Sequence, residues 1–384
     1  MKKKVLIIHG HGGGAMGSGH MIAARAIEDA GGDIEDLELK MMDMLDYVDA
    51  AHNKMYDIFY RQTVMKFPKL WGVSYYLSDT GWFGKPWLKI QASMDLGHID
   101  EKLFVRDIKD FAPDVVVCPF WLPLEVLSLY RKKGIFRKDE FRICGVVTDY
   151  YPHRLWIHEN IDRFFVPNEW CRDRLIKEGI EESAIRITGI PIEKIFMVRG
   201  ERKRICEEMG LSPDDFILSV LGGGFGAGRI NGVLVNLIKI DLPAQILVTT
   251  GKNKKLKDEV EQMVAKASLK NMKVSIYGFV PKIEDVYSAS DLVISKSGGL
   301  VSSEIMALGC PMIIMDPIPG QEEYNRDYLV ENHAAVFAAN PDEAVKIAGN
   351  IMKDHDKLRE LANNVRRIAR PDAARDIIKE AIGS

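Results

Sequence analysis

A turn of short residues between two apolar stretches has the composition of a phosphate-binding site. Ser297, Gly298 and Gly299 follow the end of an apolar segment that is typical of a buried strand, and a helix is predicted over 302–308. The free N–H groups and positive dipole end of such a helix favour an anion, and a diphosphate suits the turn. Glu304 lies one turn into the helix, where its carboxylate could accept hydrogen bonds from a ribose diol.

A second polar turn lies a few residues further along the chain. Gln321 and Glu322 follow the pair Pro319-Gly320. The amide offers a donor and an acceptor, and the carboxylate accepts hydrogen bonds, so both side chains suit sugar hydroxyls. Together the two turns predict one side of a nucleotide-sugar pocket. An ordinary strand–turn–helix with polar turn residues is the alternative.

The first glycine-rich loop carries a different signature. Residues 12–17 match G-x-G-x-x-G after a predicted strand and before a predicted helix, which is the dinucleotide fingerprint. The acidic residue that this fingerprint needs about 20 positions later should end a second strand. Asp36 and Glu38 instead lie in a weakly apolar segment, 34–39, that predicts a poor buried strand. We therefore do not favour NAD binding.

His20 stands where this loop meets a helix predicted over 21–30. A neutral imidazole with an ordinary pKa of about 6.5 can accept a hydroxyl proton at pH 7. The residue is therefore a candidate general base that projects from the first half of the chain. The alternative is a structural histidine that bonds a backbone carbonyl.

A third polar cluster follows the apolar segment 143–147 and contains Asp149, His153 and Trp156. Asp149 could act as a base or orient one, and Trp156 could stack on a sugar or line an acyl channel. Packing within a loop is the alternative for both His153 and Trp156. A metal site is disfavoured, because the histidines lack an H-x-H or H-E-x-x-H spacing.

Apolar runs that are typical of buried strands alternate with helical patterns in both halves of the chain. The predicted strands are 5–8, 114–118, 142–147 and 164–166 in the first half, and 216–221, 245–250, 274–277, 292–294 and 311–315 in the second. This alternation predicts an α/β fold with parallel sheets covered on both faces. Two Rossmann-like domains that face each other across a cleft would bind ligands at the carboxyl ends of their strands, as in the GT-B architecture.

The domain boundaries follow from these two series of strands. We expect an N-terminal domain over 1–198 and a C-terminal domain over 199–369. The last helix, at about 370–384, is expected to pack back on the first domain.

Composition limits the partners. The net charge of the 384-residue chain is −3, which gives no reason to expect nucleic acid, and no run of 18 apolar residues occurs. Residues 54–89 carry six basic and two acidic side chains, a local charge of +4, among many aromatic residues that include Trp71, Trp82 and Trp87. Aromatic rings beside cationic groups suit an anionic membrane surface. Core aromatics in an insertion are the alternative.

These pieces resemble the glycolipid-forming members of glycosyltransferase family 28, namely the processive diacylglycerol glucosyltransferases of bacteria and the monogalactosyldiacylglycerol synthases. The resemblance covers almost the whole chain and is most specific over 148–191. The matching motifs are Gly19-His20; Thr148-Asp149 with His153, Trp156, His158 and Glu159; Gly189-Ile190-Pro191; Gly251-Lys252-Asn253; Gly278-Phe279-Val280; Lys296-Ser297-Gly298-Gly299 with Glu304; and Pro319-Gly320-Gln321-Glu322 with Asn325.

The resemblance implies a GT-B fold, a UDP-sugar donor, and inversion at the anomeric carbon without a metal or another cofactor. It makes His20 the base that deprotonates the 3-hydroxyl of diacylglycerol, with Asp149 as assistant or rival. The implied donor contacts are Gly223, Gly224, Ser297, Gly298 and Gly299 for the diphosphate, Phe279 and Val280 for uracil, Glu304 for ribose, and Gln321 and Glu322 for the hexose. The implied acceptor and membrane contacts are His153, Trp156, Trp71, Trp82 and Trp87.

We therefore expect an inverting, metal-independent enzyme that moves a hexose, glucose rather than galactose, from a UDP-sugar to diacylglycerol. We expect it on the cytoplasmic face of the cell membrane as a peripheral protein that contacts anionic lipid. The alternatives are transfer to a polyprenyl or soluble acceptor, and a nucleotide- or lipid-binding module without catalysis.

Overall fold

The structure is a computed structural model that describes residues 2–10, 18–52, 54, 63, 66–80, 84, 97–222 and 229–383. The chain divides into two compact units. The first unit comprises Met1–Lys194, Ile318–Tyr324 and Arg370–Ser384, and the second comprises Ile195–Pro317 and Asn325–Ala369. Short segments from late in the chain thus complete the first unit.

The first unit contains a six-stranded parallel sheet. Its strands are β1 (Lys3–His9), β2 (Leu37–Asp43), β3 (Val115–Cys118), β4 (Arg142–Val146), β5 (Arg163–Val166) and β6 (Ile185–Ile187), in the order β2-β1-β3-β4-β5-β6. Its helices are α1 (Ser18–Gly31), α2 (Pro68–Asp79), α3 (Glu101–Phe111), α4 (Trp121–Lys132), α5 (Glu169–Lys177) and the C-terminal helix α14 (Ala373–Ile382).

Alternate residues of the central strands enter two separate cores. Leu6 and Val116 belong to a core on one face of the sheet, and Val5 and Val115 belong to a core on the other. Because both faces are covered, consecutive residues of these strands are apolar and buried, from Val5 to Ile8 in β1 and from Val115 to Cys118 in β3. Ile377 of α14 is fully buried in the second of these cores, beside the side chains of α1. The last helix therefore packs on the first unit.

The second unit contains another six-stranded parallel sheet. Its strands are β7 (Ile217–Leu221), β8 (Gln245–Thr249), β9 (Lys273–Tyr277), β10 (Leu292–Ser295), β11 (Met312–Met315) and β12 (Ala335–Ala338), in the order β12-β11-β10-β7-β8-β9. Its helices are α6 (Arg202–Met209), α7 (Ile230–Ile240), α8 (Lys254–Ala265), α9 (Ile283–Ala289), α10 (Gly299–Ala307), α12 (Pro341–Lys353) and α13 (His355–Ile368). Helix α11 (Gln321–Glu331) begins in the part counted with the first unit and ends in the second.

The sheet order explains where ligands can bind. In each sheet the chain reverses its direction of winding beside the first strand, so that β1 lies next to β3 and β7 lies next to β10. Loops leave these neighbouring strands toward opposite sides, and the gap that results at the carboxyl edge is the usual ligand site of open α/β sheets.

Each predicted strand matches a strand of the structure, whereas β2, β6 and β12 were not predicted. A second strand does follow the first glycine loop, because β2 pairs with β1 from Lys3↔Leu37 to His9↔Asp43. This strand lies at the edge of the sheet, and only Met42 in it is buried. Because only one of its side chains is buried, the strand does not form the apolar run by which buried strands are recognised in a sequence.

Within the described ranges, no helix has both the length and the apolar character that crossing a membrane requires.

Candidate functional site

His20 lies at the carboxyl edge of the first sheet, at its switch point. The residue is in the first turn of α1, and its ring centroid is 4.9 Å from that of Phe120, which follows β3. The ring of Trp156 meets it edge-on at 6.0 Å. Nδ1 of His20 is 3.1 Å from Oγ1 of Thr148, which follows β4. Segments that follow three strands therefore surround one imidazole.

The surroundings of His20 lower its pKa to about 4. Loss of hydration by burial is the main cause, a hydrogen bond with the backbone of Pro119 acts in the opposite direction, and the nearby His9 lowers the pKa further. The ring is therefore neutral at pH 7. In the tautomer with the proton on Nδ1, the ring donates a hydrogen bond to the Thr148 hydroxyl oxygen, and Nε2 carries the lone pair that a base needs.

Asp149, the second candidate for the base, directly follows Thr148 and is half-buried. Its backbone carbonyl accepts a hydrogen bond from Sγ of Cys171 at 3.6 Å. Burial raises the pKa of Tyr75 well above its usual range, and the negative charge of Asp149 adds to this effect. The carboxylate thus lies close enough to α2 to act on a tyrosine of that helix. Its role in proton transfer stays a prediction.

His153 and Trp156 are both buried in the first unit. Nδ1 of His153 accepts a hydrogen bond from the N–H of Leu155, so the ring proton is on Nε2. Nε2 lies 3.1 Å from Oγ of Ser78 and 3.2 Å from the carbonyl of Tyr75, both in the last turns of α2. His153 therefore holds the end of α2, while Trp156 supports His20. Their predicted contact with an acceptor lipid stays a prediction.

Trp71, one of the predicted membrane residues, lies on α2 and faces the second polar turn. Its Nε1 donates a hydrogen bond to Oε1 of Gln321 at 3.4 Å. Glu322, the other candidate for reading the sugar, accepts a hydrogen bond through Oε2 from the N–H of Ile318 at 2.7 Å. The structure thus brings one predicted membrane residue and both predicted sugar residues together within the first unit.

The turn that was predicted to bind phosphate lies at the carboxyl edge of the second sheet, after β10. Helix α10 begins at Gly299, three residues earlier than predicted, and its N-cap residue, Gly298, makes no side-chain capping hydrogen bond. The amino end of such a helix favours an anion. Ser297 is fully buried, and its carbonyl accepts a hydrogen bond from Nδ2 of Asn325 at 2.9 Å. This bond ties the turn to α11.

The other predicted donor residues also follow strands of the second sheet or lie on α10. Glu304 is buried in α10, and its charge helps to raise the pKa of Tyr287, a shift due mainly to burial. Phe279 and Val280 follow β9, and the Phe279 side chain is 63% exposed, with Nζ of Lys252 at 5.8 Å from its ring centroid. An exposed ring at a strand end is available for contact with a nucleobase.

A small pocket that was not predicted from the sequence lies at the ends of β7, β10 and β11. Arg229 and Asp316 both line it, and Nε of Arg229 donates a hydrogen bond to a carboxylate oxygen of Asp316 at 2.8 Å. The lining residues are Val220, Leu221, Arg229, Ile230, Ile294, Ser295, Lys296, Met315 and Asp316. The position of Asp316 directly after an apolar strand was the available signal, because such positions reach the carboxyl edge of a sheet.

Four of the predicted residues, Gly223, Gly224, Trp82 and Trp87, lie outside the described residues. In the part of the chain that is described, no three His, Cys, Asp or Glu side chains are grouped to hold a metal ion.

Two protein-family models match separate parts of the chain. The family model of monogalactosyldiacylglycerol synthase matches residues 20–192, and the model of glycosyl transferases group 1 matches residues 230–368. The chain is 28% identical over 275 residues to a processive diacylglycerol beta-glucosyltransferase of Bacillus licheniformis, covering 72% of this chain and 70% of the relative. It is 27% identical to monogalactosyldiacylglycerol synthase 3 of Arabidopsis thaliana, covering 98% of this chain and 80% of the relative.

Solved structures resemble the fold over its full length. MurG of Acinetobacter baumannii gives a TM-score of 0.60 at 14% identity, with all of both chains covered. The UDP-GlcNAc 2-epimerase of Neisseria meningitidis, bound to UDP-GlcNAc, gives a TM-score of 0.60 at 14% identity, with 99% of this chain and 100% of the other covered. The predicted α/β fold of GT-B type is thereby confirmed, and the family models and the two relatives confirm the predicted resemblance.

We expect the protein to lose stability as the pH falls from about 6.5 toward 4. The pKa values of His20 and His158 are lowered to about 4 in the folded chain, whereas unfolded imidazoles titrate near 6.5. The unfolded state therefore binds protons first, and at pH 5 each imidazole should lower the free energy of unfolding by roughly 1–2 kcal/mol. Denaturant titrations at pH 7.5, 6 and 5 measure this, and His158→Gln should reduce the dependence. An unfolding free energy that is constant over this range would contradict the assignment.

We also expect Asn325→Ala to weaken the phosphate turn. Asn325 is fully buried, so its removal leaves the Ser297 carbonyl without this donor and should lower the free energy of unfolding by about 1–3 kcal/mol. Asn332→Ala is the matched control, because its Nδ2 donates to the Tyr328 carbonyl, also at 2.9 Å, directly after the end of the same helix, and Asn332 is only half-buried. Calorimetry of UDP binding should show a loss for Asn325→Ala only. Equal losses in both variants would remove the special role of Asn325.

Proposed function

We propose that this chain, a glycosyltransferase similar to the diacylglycerol glycosyltransferases, transfers a hexose from a UDP-sugar to the 3-hydroxyl of 1,2-diacylglycerol. The transfer inverts the anomeric carbon and uses no metal. Glucose is the proposed sugar. The protein binds the cytoplasmic face of the membrane as a peripheral protein.

The observation that carries this proposal is the neutral imidazole of His20 beside Thr148, at the switch point of the first sheet. Nε2 removes the proton of the acceptor hydroxyl as the alcohol oxygen attacks the anomeric carbon. The bond from that carbon to the diphosphate oxygen breaks with its electron pair, and UDP leaves. Attack opposite to the leaving group inverts the configuration.

The arrangement of the second unit supports a UDP-sugar donor. The amino end of α10 has no side-chain cap, and the free N–H groups and dipole of a helix stabilise the negative charge that grows on a leaving diphosphate. Glu304 is the proposed ribose contact, and Phe279 and Val280 are the proposed uracil contacts. Gln321 and Glu322 are proposed to contact the hexose.

Helix α2 supports contact with a membrane. Leu70, Val73 and Leu77 recur at helical spacing, lie on one face, and are more than half exposed. Exposed Lys66 and Lys69 lie beside this apolar row. An apolar row with adjacent cations matches the acyl boundary and the anionic headgroups of a bilayer.

Parallel assays with radiolabelled UDP-glucose and UDP-galactose, with diacylglycerol in anionic vesicles, test the function. We expect glycolipid from UDP-glucose, and His20→Ala should lower kcat by about 10²- to 10⁴-fold while the affinity for UDP is kept. His158→Ala is the control, because it removes another imidazole of lowered pKa in the same unit.

The outcomes of this assay separate the alternatives. Glycolipid from UDP-galactose alone would change the proposed sugar from glucose to galactose. No glycolipid from either donor, with UDP still bound, would overturn the acceptor and direct the search to polyprenyl and soluble acceptors. If His20→Ala has unchanged turnover, Asp149 becomes the candidate base. If the protein shows no turnover with any acceptor, it is a binding module without catalysis.

Charges introduced into the apolar row of α2 should release the protein from vesicles. Leu70 and Leu77 are 62% and 51% exposed, so Leu70→Asp with Leu77→Asp leaves the core intact. Each buried leucine contributes about 1.5 kcal/mol or more, so membrane partitioning should fall at least about tenfold. Ile176→Asp with Ile240→Asp changes two exposed apolar side chains elsewhere and should leave it unchanged. Equal sedimentation of both variants with vesicles would exclude α2 as the contact.

A further inference from the structure

The face of α2 opposite to the apolar row is packed closely against the turn that precedes α11. A Cβ atom at Gly72 would lie 2.6 Å from Cβ of Pro319, and one at Gly320 would lie 2.6 Å from the ring of Tyr75. Gly320 also has a φ of +93°, a conformation that side chains disfavour. Two glycines, one on each partner, therefore permit this close approach.

One carboxylate oxygen links the helix to the turn. Oε2 of Glu323 accepts a hydrogen bond from the Tyr76 hydroxyl at 2.6 Å and another from the N–H of Gly320 at 2.9 Å. The ring of Tyr76 also meets that of Tyr324 edge-on at 5.7 Å. Hydrogen bonds to an ionised acceptor are stronger than those between neutral groups, and two of them converge here.

This link sets the orientation of the neighbouring Gln321. Oε1 of Gln321 accepts the Trp71 indole N–H, so the amide NH₂ is the part of the side chain that is left to donate to a sugar hydroxyl. Gly320 directly precedes Gln321, and its N–H is fixed by Glu323. A shift of the turn would therefore move the amide directly.

The helix that holds the turn is itself fixed at its carboxyl end. The carboxylate of Asp79, which is buried, accepts a hydrogen bond from the N–H of Arg154 at 2.9 Å and lies 3.3 Å from the guanidinium of Arg174. Arg154 in turn pairs with Glu178 at 2.6 Å. Helix α2 is thus a fixed support on the first sheet, and the turn is placed relative to it.

We propose that Tyr76 and Glu323 are positioning residues for the hexose of the donor. The proposal rests on the proposed function, because it requires Gln321 to contact the sugar of a UDP-hexose. Tyr76 and Glu323 act through the turn and not by touching the reacting atoms. Their loss weakens recognition of the hexose while the contacts of the nucleotide, which are proposed for α10 and the β9 end, are retained.

The test compares binding of UDP with binding of UDP-glucose and UDP-galactose by calorimetry, together with KM and kcat in vesicles. The variants are Tyr76→Phe, Glu323→Ala and Glu323→Gln, the last of which keeps a neutral acceptor oxygen. Tyr47→Phe is the matched control, because it removes a similar bond, from the Tyr47 hydroxyl to Asp107 at 2.9 Å, in the same unit.

For Glu323→Ala we expect the KM and the Kd of the hexose donor to rise about tenfold, with the Kd of UDP and kcat nearly unchanged. Glu323→Gln should show a smaller rise. In the double variant of Glu323→Ala with Tyr76→Phe, the KM and the Kd should be close to those of Glu323→Ala, because both side chains act through Oε2 of Glu323. Equal weakening of UDP and UDP-hexose, a fall in kcat alone, or values like those of Tyr47→Phe would overturn the proposal. A wild-type protein that binds neither UDP-hexose would overturn the proposed function with it, whereas normal wild-type binding and turnover with silent variants would overturn this inference alone.

Discussion

The parallel pairing of β1 with β3 is the constraint on which the His20 site depends. The register from Val5↔Val115 to Ile7↔Val117 joins segments about 110 residues apart, and β2 occupies the other side of β1. The chain must therefore leave β1 in one direction and return at β3 in the other, which opens the carboxyl edge between them. His20 enters this gap from α1. A strand is rigid and its register fixes which side chains reach the edge, so the sheet, and not a loop alone, determines where His20 stands.

Helix α2 carries the residues of two proposed tasks, membrane contact and support of the turn before α11, which the sequence presents as separate. Its spacing puts apolar side chains on one face and Trp71, Gly72 and Tyr75 on the opposite one. Gly72 costs helix stability of about 1 kcal/mol relative to alanine, but it lets the helix approach Pro319. The buried charges that fix the helix end are also expensive to remove from water, so their role is better understood as fixing geometry than as adding stability. A helix of this kind can meet a lipid surface without any change in the turn that it supports.

The sequence was sufficient for features that depend on local pattern, and insufficient for those that depend on contacts between distant segments. Buried strands such as 142–146 are visible because both of their faces are apolar. The edge strand β2 is not visible, since only one of its residues is buried and its pairing with β1 is a tertiary property. The early start of α10 was missed because Gly299 has poor helix propensity. The bond of Thr148 to His20 and that of Glu323 to Tyr76 span 128 and 247 residues, and no local pattern predicts them.

The low pKa of His20 is consistent with its proposed role once the charges of the whole reaction are considered. A base of pKa about 4 is always available at neutral pH, but it holds a proton weakly in the ground state. The proposed transfer creates an imidazolium at His20 and a negative charge on the departing diphosphate in the same step. The buried site opposes the first charge, and the amino end of α10 is proposed to stabilise the second. Proton removal is then favourable only when the sugar is in place and its leaving group accepts charge. A histidine of low pKa would thus deprotonate the acceptor hydroxyl little in the absence of donor. With a histidine of higher pKa, deprotonation of the acceptor would depend less on bound donor.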